Sequence, residues 1–137
     1  MRSQYKTFFI FSACREALST NENHKRTREA YNTLLDLGLD FACVTGVYNG
    51  SKEASFMVFD SEGAESTVKT LCELYSQECY LERDNENKGE LVFPNNTREL
   101  LGTVKVITRE ESKDFDSFTI APQTDGTKLY FTFAKDH

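Results

Sequence analysis

FACVTGVYNGSKEASFMVFD, residues 41–60, decides the fold reading of this chain. Two apolar, β-branched and aromatic runs, Phe41–Tyr48 and Glu53–Asp60, flank Asn49-Gly50. The favoured two-residue hairpin turn needs positive φ at both central positions, and Asn-Gly supplies it at little steric cost. The stretch therefore predicts two antiparallel strands joined by a tight turn.

Working upstream, Ser19–Asn23 is a polar cluster suited to capping, with Thr20 or Asn21 as the expected N-cap. A helix follows to about Leu37, with Ala30, Tyr31, Leu34, Leu35 and Leu37 on its apolar face and Gly38 ending it. Before it, Tyr5–Ala13 (YKTFFIFSA) carries almost no charge and reads as a buried strand. Downstream, Asp60 or Ser61 is placed to cap a second helix over about Gly63–Ser76, whose apolar face is Ala64, Val68, Leu71, Cys72, Leu74 and Tyr75. Cys79–Glu82 and Glu90–Phe93 read as short strands around a charged turn.

The order β-α-β-β-α-β predicts an α+β fold, a ferredoxin-like sheet with two helices on one face, over residues 1–93. Residues 94–137 read as a β-rich extension of the same single domain. Thr97–Leu101 is expected to form a helical turn, Gly102–Thr108 a strand, and Arg109–Asp116 a charged stretch with room for a short helix. Ser117–Ala121 and Leu129–Ala134 read as a terminal hairpin around Asp125-Gly126.

A chain of 137 residues suits one domain that needs no disulfide or metal to fold. Its formal charge of −6 repels phosphate backbones, so no nucleic acid is expected as partner. The four cysteines form no C-x-x-C pair, and they read as buried reduced thiols rather than metal ligands. Neither a signal peptide nor a run of roughly 20 apolar residues is evident, so a cytoplasmic protein without membrane contact is expected. Walker A, G-x-G-x-x-G and G-x-S-x-G motifs are absent. His24 at the helix start reads as a solvated residue, and His137 is terminal.

The predicted topology brings three loops to one end: 12–23, 48–53 and 76–78. That end collects Arg15, Glu22, Asn23, Arg26, Tyr48, Lys52, Glu53 and Gln77, the candidate binding residues. A helix N-terminus offers free N–H groups and partial positive charge, so with Arg15 and Arg26 it can hold a carboxylate or phosphate. The simpler reading is that the polar run caps the helix and Arg15 pairs with Glu16 or Glu22. Cys14 lacks the glycines and the downstream Arg of a phosphatase-type loop, so it is not expected to be a nucleophile.

The segment 22–60 resembles a conserved domain family of unknown function found in bacteria and phages. The likeness lies in an E-N-x-x-R block (Glu22, Asn23, Arg26), a V-x-G-x-Y-x-G turn (Val44, Gly46, Tyr48, Gly50) and E-x-S-F-x-V (Glu53, Ser55, Phe56, Val58). Where that family carries a T-A-x-N-P-like block, this chain has Ser12-Ala13-Cys14-Arg15-Glu16. The resemblance implies no reaction. It favours a small acidic, phage-encoded accessory protein that binds and inhibits a host protein, with no cofactor and no catalytic residue. The alternative is a small-ligand or nucleotide-binding module using the N-terminal end of helix one. The aromatic terminal hairpin also leaves room for pairing across a homodimer.

Overall fold

The computed structural model describes residues 6–135; the Tyr5 start expected for the first strand and His137 lie outside them. The chain runs β1 (Phe8–Phe11), α1 (Thr20–Asp36), β2 (Phe41–Tyr48), β3 (Ser51–Phe59), α2 (Ala64–Leu74), β4 (Tyr80–Arg83), β5 (Lys88–Val92), β6 (Arg98–Ile107), a 3-10 turn at Glu111–Asp114, β7 (Ser117–Pro122) and β8 (Lys128–Ala134).

The strands do not form the expected ferredoxin-like sheet. They close into an antiparallel barrel in the order β1-β3-β2-β7-β8-β6-β5-β4, with β4 returning to β1. The reason lies in the C-terminal strands, which are no separate extension. β5 and β6 lengthen the sheet beyond β4, β7 lengthens it beyond β2, and β8 joins β6 to β7. Among the described strands, closure leaves no unpaired edge. Thr97–Leu101 is not a helical turn, since β6 begins at Arg98 and pairs with β5. Its register shifts at Gly89/Glu90, and there the Phe133 ring packs against the bare backbone of Gly89. Any side chain at Gly89 would fill the space of that ring, so this glycine lets β8 close over β5.

β1 shows how the barrel sorts its residues. Successive side chains of a strand point to opposite faces. Phe8 and Ile10 pack with Val44, Met57 and Phe131, the barrel interior; Phe8 meets Phe131 across the lumen at 6.2 Å between ring centroids. Phe9 and Phe11 point outward and pack with Phe56, Val58, Leu34 of α1 and Val68 and Leu71 of α2. Both helices thus cover one side of the barrel. Burying a side chain such as Phe56 there contributes about 2–3 kcal/mol by area alone.

The helix ends are set locally. Ser19, not Thr20 or Asn21, is the N-cap of α1: its Oγ accepts from Glu22 N at 3.1 Å and donates to Glu22 Oε1 at 3.1 Å. At the other end Gly38 N donates to Leu35 O and Leu39 N to Leu34 O, the Schellman arrangement. α2 has no side-chain cap from Asp60 or Ser61; Gly63 precedes it at φ +81°. α2 ends with Ser76 at φ +56°, and Gln77 N donates to Cys72 O at 2.8 Å. Of the cysteines only Cys72 is fully buried; Cys43 is exposed on β2, contrary to expectation, because its side chain borders an open groove beside α1 instead of packing beneath the helix. Among the described residues no helix is long and apolar enough to cross a membrane.

Candidate functional site

The loops that meet at one end of the barrel surround its mouth. The Asn49-Gly50 turn, with φ of +49° and +85°, fixes the β2–β3 register so that Gly46 faces Glu53 and Val44 faces Ser55. These four therefore point into the barrel, as does Thr119, which pairs with Gly46 from β7. Asn49 N donates to Asp116 O at 2.6 Å and ties the turn to β7.

Two cavities open here. One, of about 900 Å³, is the upper lumen, with Ile10, Leu81, Leu91, Leu101, Phe131 and Phe133 as its apolar wall and Ser12, Ser55 and Thr119 as hydroxyls. The other, of about 960 Å³, is a groove between α1 and the β2–β3 hairpin, bordered by His24, Arg28, Tyr31, Cys43 and Lys52. Cys14, Arg15, Glu16, Tyr48 and Glu53 line both, so they form the waist where the two meet.

Glu53 is the half-buried carboxylate of this waist. Burial raises its pKa, and the nearby Ser12 side chain partly counters the rise. Ser12 donates its hydroxyl to Ala54 O at 2.8 Å and accepts from Cys14 N at 3.0 Å. Tyr48 is 52% exposed as a residue, yet its pKa is raised by burial first, then by the charge of Glu53 and by Cys79. Its ring lies back along the strand over Gly46. A Cβ at Gly46 would stand 3.1 Å from Tyr48 Cε2 and 3.3 Å from Ser55 Oγ.

The sequence-predicted residues divide into two groups. Asn23, Arg26 and Gln77 hold the 13–15 loop. Arg26 Nε donates to Ala13 O at 2.7 Å, Gln77 Nε2 to Cys14 O at 2.8 Å, and Asn23 Nδ2 to Arg15 O at 2.9 Å. Three consecutive carbonyls thus each accept from a side chain. Asn23 Oδ1 also accepts from Arg15 N, and Arg26 reaches Tyr75 O while its guanidinium stacks on the Tyr75 ring at 5.0 Å. Glu22 is engaged with the Ser19 side chain through both its N–H and its carboxylate, so that one of the N–H groups at the start of α1 is taken within the helix. Arg15, Tyr48, Lys52 and Glu53 remain open to the cavities, and neither Arg15 nor Lys52 joins an ion pair among the described residues.

Sequence reasoning gave no site role to Gly46, Ser55 or Thr119. The hairpin register carried the signal for Gly46 and Ser55, since the turn fixes which residues oppose Glu53 and Val44. Thr119 had none, because its position depends on β7 pairing with a strand about 70 residues earlier. Among the described residues no cluster of His, Cys, Asp and Glu side chains is arranged to hold a metal ion.

Glu53 and Tyr48 lie close enough for the carboxylate's charge to raise the pKa of the phenol, and both line the two cavities, so a carboxylate and an aromatic ring, two groups that attract cations, share the waist. No curated protein matches the chain. The family model described as the S-Adenosylmethionine lyase family does match, over residues 9–131. This corrects the reading of a family of unknown function: the conserved family is one of enzymes, the expectation of a phage-encoded inhibitor of a host protein falls with it, and nothing points to a phage source. The match spans the barrel from β1 to β8, and the chain belongs to the S-adenosylmethionine lyase family.

Proposed function

We propose that this protein is a lyase that cleaves S-adenosylmethionine at the waist between its two cavities. The observation that carries the reading is the site of Glu53. It is the half-buried carboxylate facing into the barrel beside an aromatic ring, in a chain of this family. A sulfonium is a permanent cation, and an aromatic face with a carboxylate attracts it.

The chemistry of the substrate limits the bond that breaks. Its sulfonium joins a methyl group, the ribose 5′ carbon and the γ carbon of the amino-acid arm. The methyl group has no neighbouring C–H to eliminate. The amino-acid arm carries its own carboxylate, placed to close a five-membered ring on the γ carbon. In that step a carboxylate oxygen bonds to the γ carbon, and the γ carbon–sulfur pair leaves on sulfur as a neutral thioether. The products are methylthioadenosine and homoserine lactone, still carrying its ammonium group. No proton, water or cofactor enters. Elimination would instead need a base strong enough to take an unactivated β proton, which a carboxylate such as Glu53 is not.

The residues' contribution follows. Ring closure needs the arm folded, and holding reacting atoms in line is worth far more than any single contact here. The step destroys one positive and one negative charge, so it gains from a site that excludes water. Glu53 and the Tyr48 ring attract a charge that vanishes during the step. Their contribution is therefore to binding and placement, and shows in KM more than in kcat. Arg15 and Lys52 are placed to meet the substrate carboxylate, and Glu16 to meet the ammonium.

The test is to incubate the protein with S-adenosylmethionine and follow both products by proton nuclear magnetic resonance. The reading predicts methylthioadenosine with homoserine lactone. Vinyl protons on the four-carbon product would establish elimination, and unchanged S-adenosylmethionine would refute the function.

A further inference from the structure

We infer that Asn23 is a positioning residue for the reaction: by clamping both polar groups of the Arg15 backbone, it fixes where the Arg15 side chain enters the waist. This rests on the reading of the protein as an S-adenosylmethionine lyase in which Arg15 meets the substrate carboxylate.

Arg15 lies outside regular structure. β1 ends at Phe11 and α1 begins at Thr20, so residues 12–19 form a loop. Such a segment is ordinarily among the most mobile of a fold, because few bonds hold its backbone. Here side chains hold it from Ala13 to Arg15. Ala13 O accepts from Arg26 Nε at 2.7 Å, and Cys14 O accepts from Gln77 Nε2 at 2.8 Å. Cys14 N donates to Ser12 Oγ at 3.0 Å. Arg15 has the fullest set. Its N–H donates to Asn23 Oδ1 and its carbonyl accepts from Asn23 Nδ2, both at 2.9 Å, and the same carbonyl accepts from Leu18 N at 3.1 Å.

One side-chain amide thus satisfies the N–H and the C=O of a single residue. In an antiparallel sheet a neighbouring strand makes that same paired exchange. An amide suits the task because it carries donor and acceptor together on one planar group. Asn23 lies in the first turn of α1, where its own N–H donates to Ser19 O at 3.0 Å, so the clamp stands on a rigid element. The Arg15 side chain has the opposite character. It is exposed, it lines both cavities, and it joins no ion pair among the described residues. Its backbone is fixed while its guanidinium is left for a ligand. Arg26 and Gln77 hold the two preceding carbonyls, so loss of Asn23 loosens Arg15 and leaves the rest of the loop anchored.

The experiment is a double-mutant cycle on the full chain with S-adenosylmethionine as substrate. KM and kcat are measured for the unaltered protein, Asn23→Ala, Arg15→Ala and the double variant, with thermal melts to establish folding. Asn23→Ala is expected to raise KM about five- to ten-fold with kcat within about two-fold. In the Arg15→Ala background the same change should alter KM by less than about two-fold. Asn23→Gln, which keeps donor and acceptor on a longer arm, should recover part of the loss, and it carries the same cycle if Asn23→Ala does not fold. The assignment is overturned if a folded Asn23→Ala leaves KM unchanged, or raises it equally in both backgrounds. It is also overturned if both Asn23 variants fail to fold, since the clamp then serves the fold alone. If Arg15→Ala leaves KM unchanged while S-adenosylmethionine is cleaved, Asn23 has nothing to position, and its role falls while the lyase reading stands. No cleavage by the unaltered protein sinks that reading itself.

Discussion

The Tyr48 ring rests on Gly46, two residues earlier on the same strand, at a spacing tighter than an ordinary methyl contact: a Cβ there would sit 3.1 Å from Cε2 and 3.4 Å from the hydroxyl oxygen. The two side chains fall on the same face because strands repeat every two residues. The absent Cβ thus sets where the ring lies at the waist of the site.

Gly46→Ala is therefore expected to push the Tyr48 ring aside by a few tenths of an ångström and lower kcat/KM for S-adenosylmethionine by up to about 10-fold. A double-mutant cycle with Tyr48→Leu checks the route. If Gly46 acts through Tyr48, adding Gly46→Ala to Tyr48→Leu changes little. An equal loss in both backgrounds would place the effect in the strand instead.

Glu53 has a raised pKa in the folded protein because of its burial. Binding of the sulfonium needs it ionised, so kcat/KM should fall with acidification at a pH above the ordinary carboxylate range. Stability responds with the opposite sign. A carboxyl whose folded pKa exceeds its unfolded value favours the fold at low pH, and that contribution is lost as pH rises through the folded pKa. Glu53→Gln should thus melt at a higher temperature than the unaltered protein at neutral pH, with the gap closing below the usual carboxylate pKa. Melting curves across pH read this directly, and a gap that widens in acid would contradict it.

Arg15 and Arg26 lie near one another yet should behave differently. Arg26 is engaged by the carbonyls of Ala13 and Tyr75, and each charged hydrogen bond contributes about 1.5–3 kcal/mol. Arg26→Ala should lower stability by about 3 kcal/mol. The Arg15 side chain is exposed and lines the site, so Arg15→Ala should leave stability within about 0.5 kcal/mol and raise KM. Denaturant titration beside steady-state kinetics separates the two.

This contrast marks the limit of what the sequence made legible. Local rules placed the Asn49-Gly50 hairpin, the Gly38 end of α1 and the loops that carry Arg15, Arg26, Tyr48 and Glu53. They could not show that Arg26, Asn23 and Gln77 donate to three consecutive carbonyls, since those contacts join segments up to 63 residues apart. The barrel escaped for the same reason. A strand such as Gly102–Thr108 alternates equally well in an open sheet, and its pairing with both β5 and β8 is a long-range choice. The start of β6 at Arg98, where a helical turn was expected, follows from that pairing and not from local propensity.

The cysteines provide a fold-level check. Cys43 is exposed, whereas Cys72 lies in the core beneath α2, with its pKa pushed up to about 12 by burial and then by Cys79 and Glu73. Iodoacetamide at mildly alkaline pH should modify Cys43 and spare Cys72, as peptide mapping would show. Modification of Cys72 in the native protein would contradict the packing of α2 on the barrel.

The most direct test of the account is the steady-state cleavage of S-adenosylmethionine by the unaltered protein and by Glu53→Gln. The account predicts release of methylthioadenosine by the unaltered protein. It predicts a loss of kcat/KM on the order of 10- to 100-fold in the variant, carried mainly by KM, for removal of one half-buried charge–charge contact. No cleavage by the unaltered protein, or full activity in a folded Glu53→Gln variant, would contradict it.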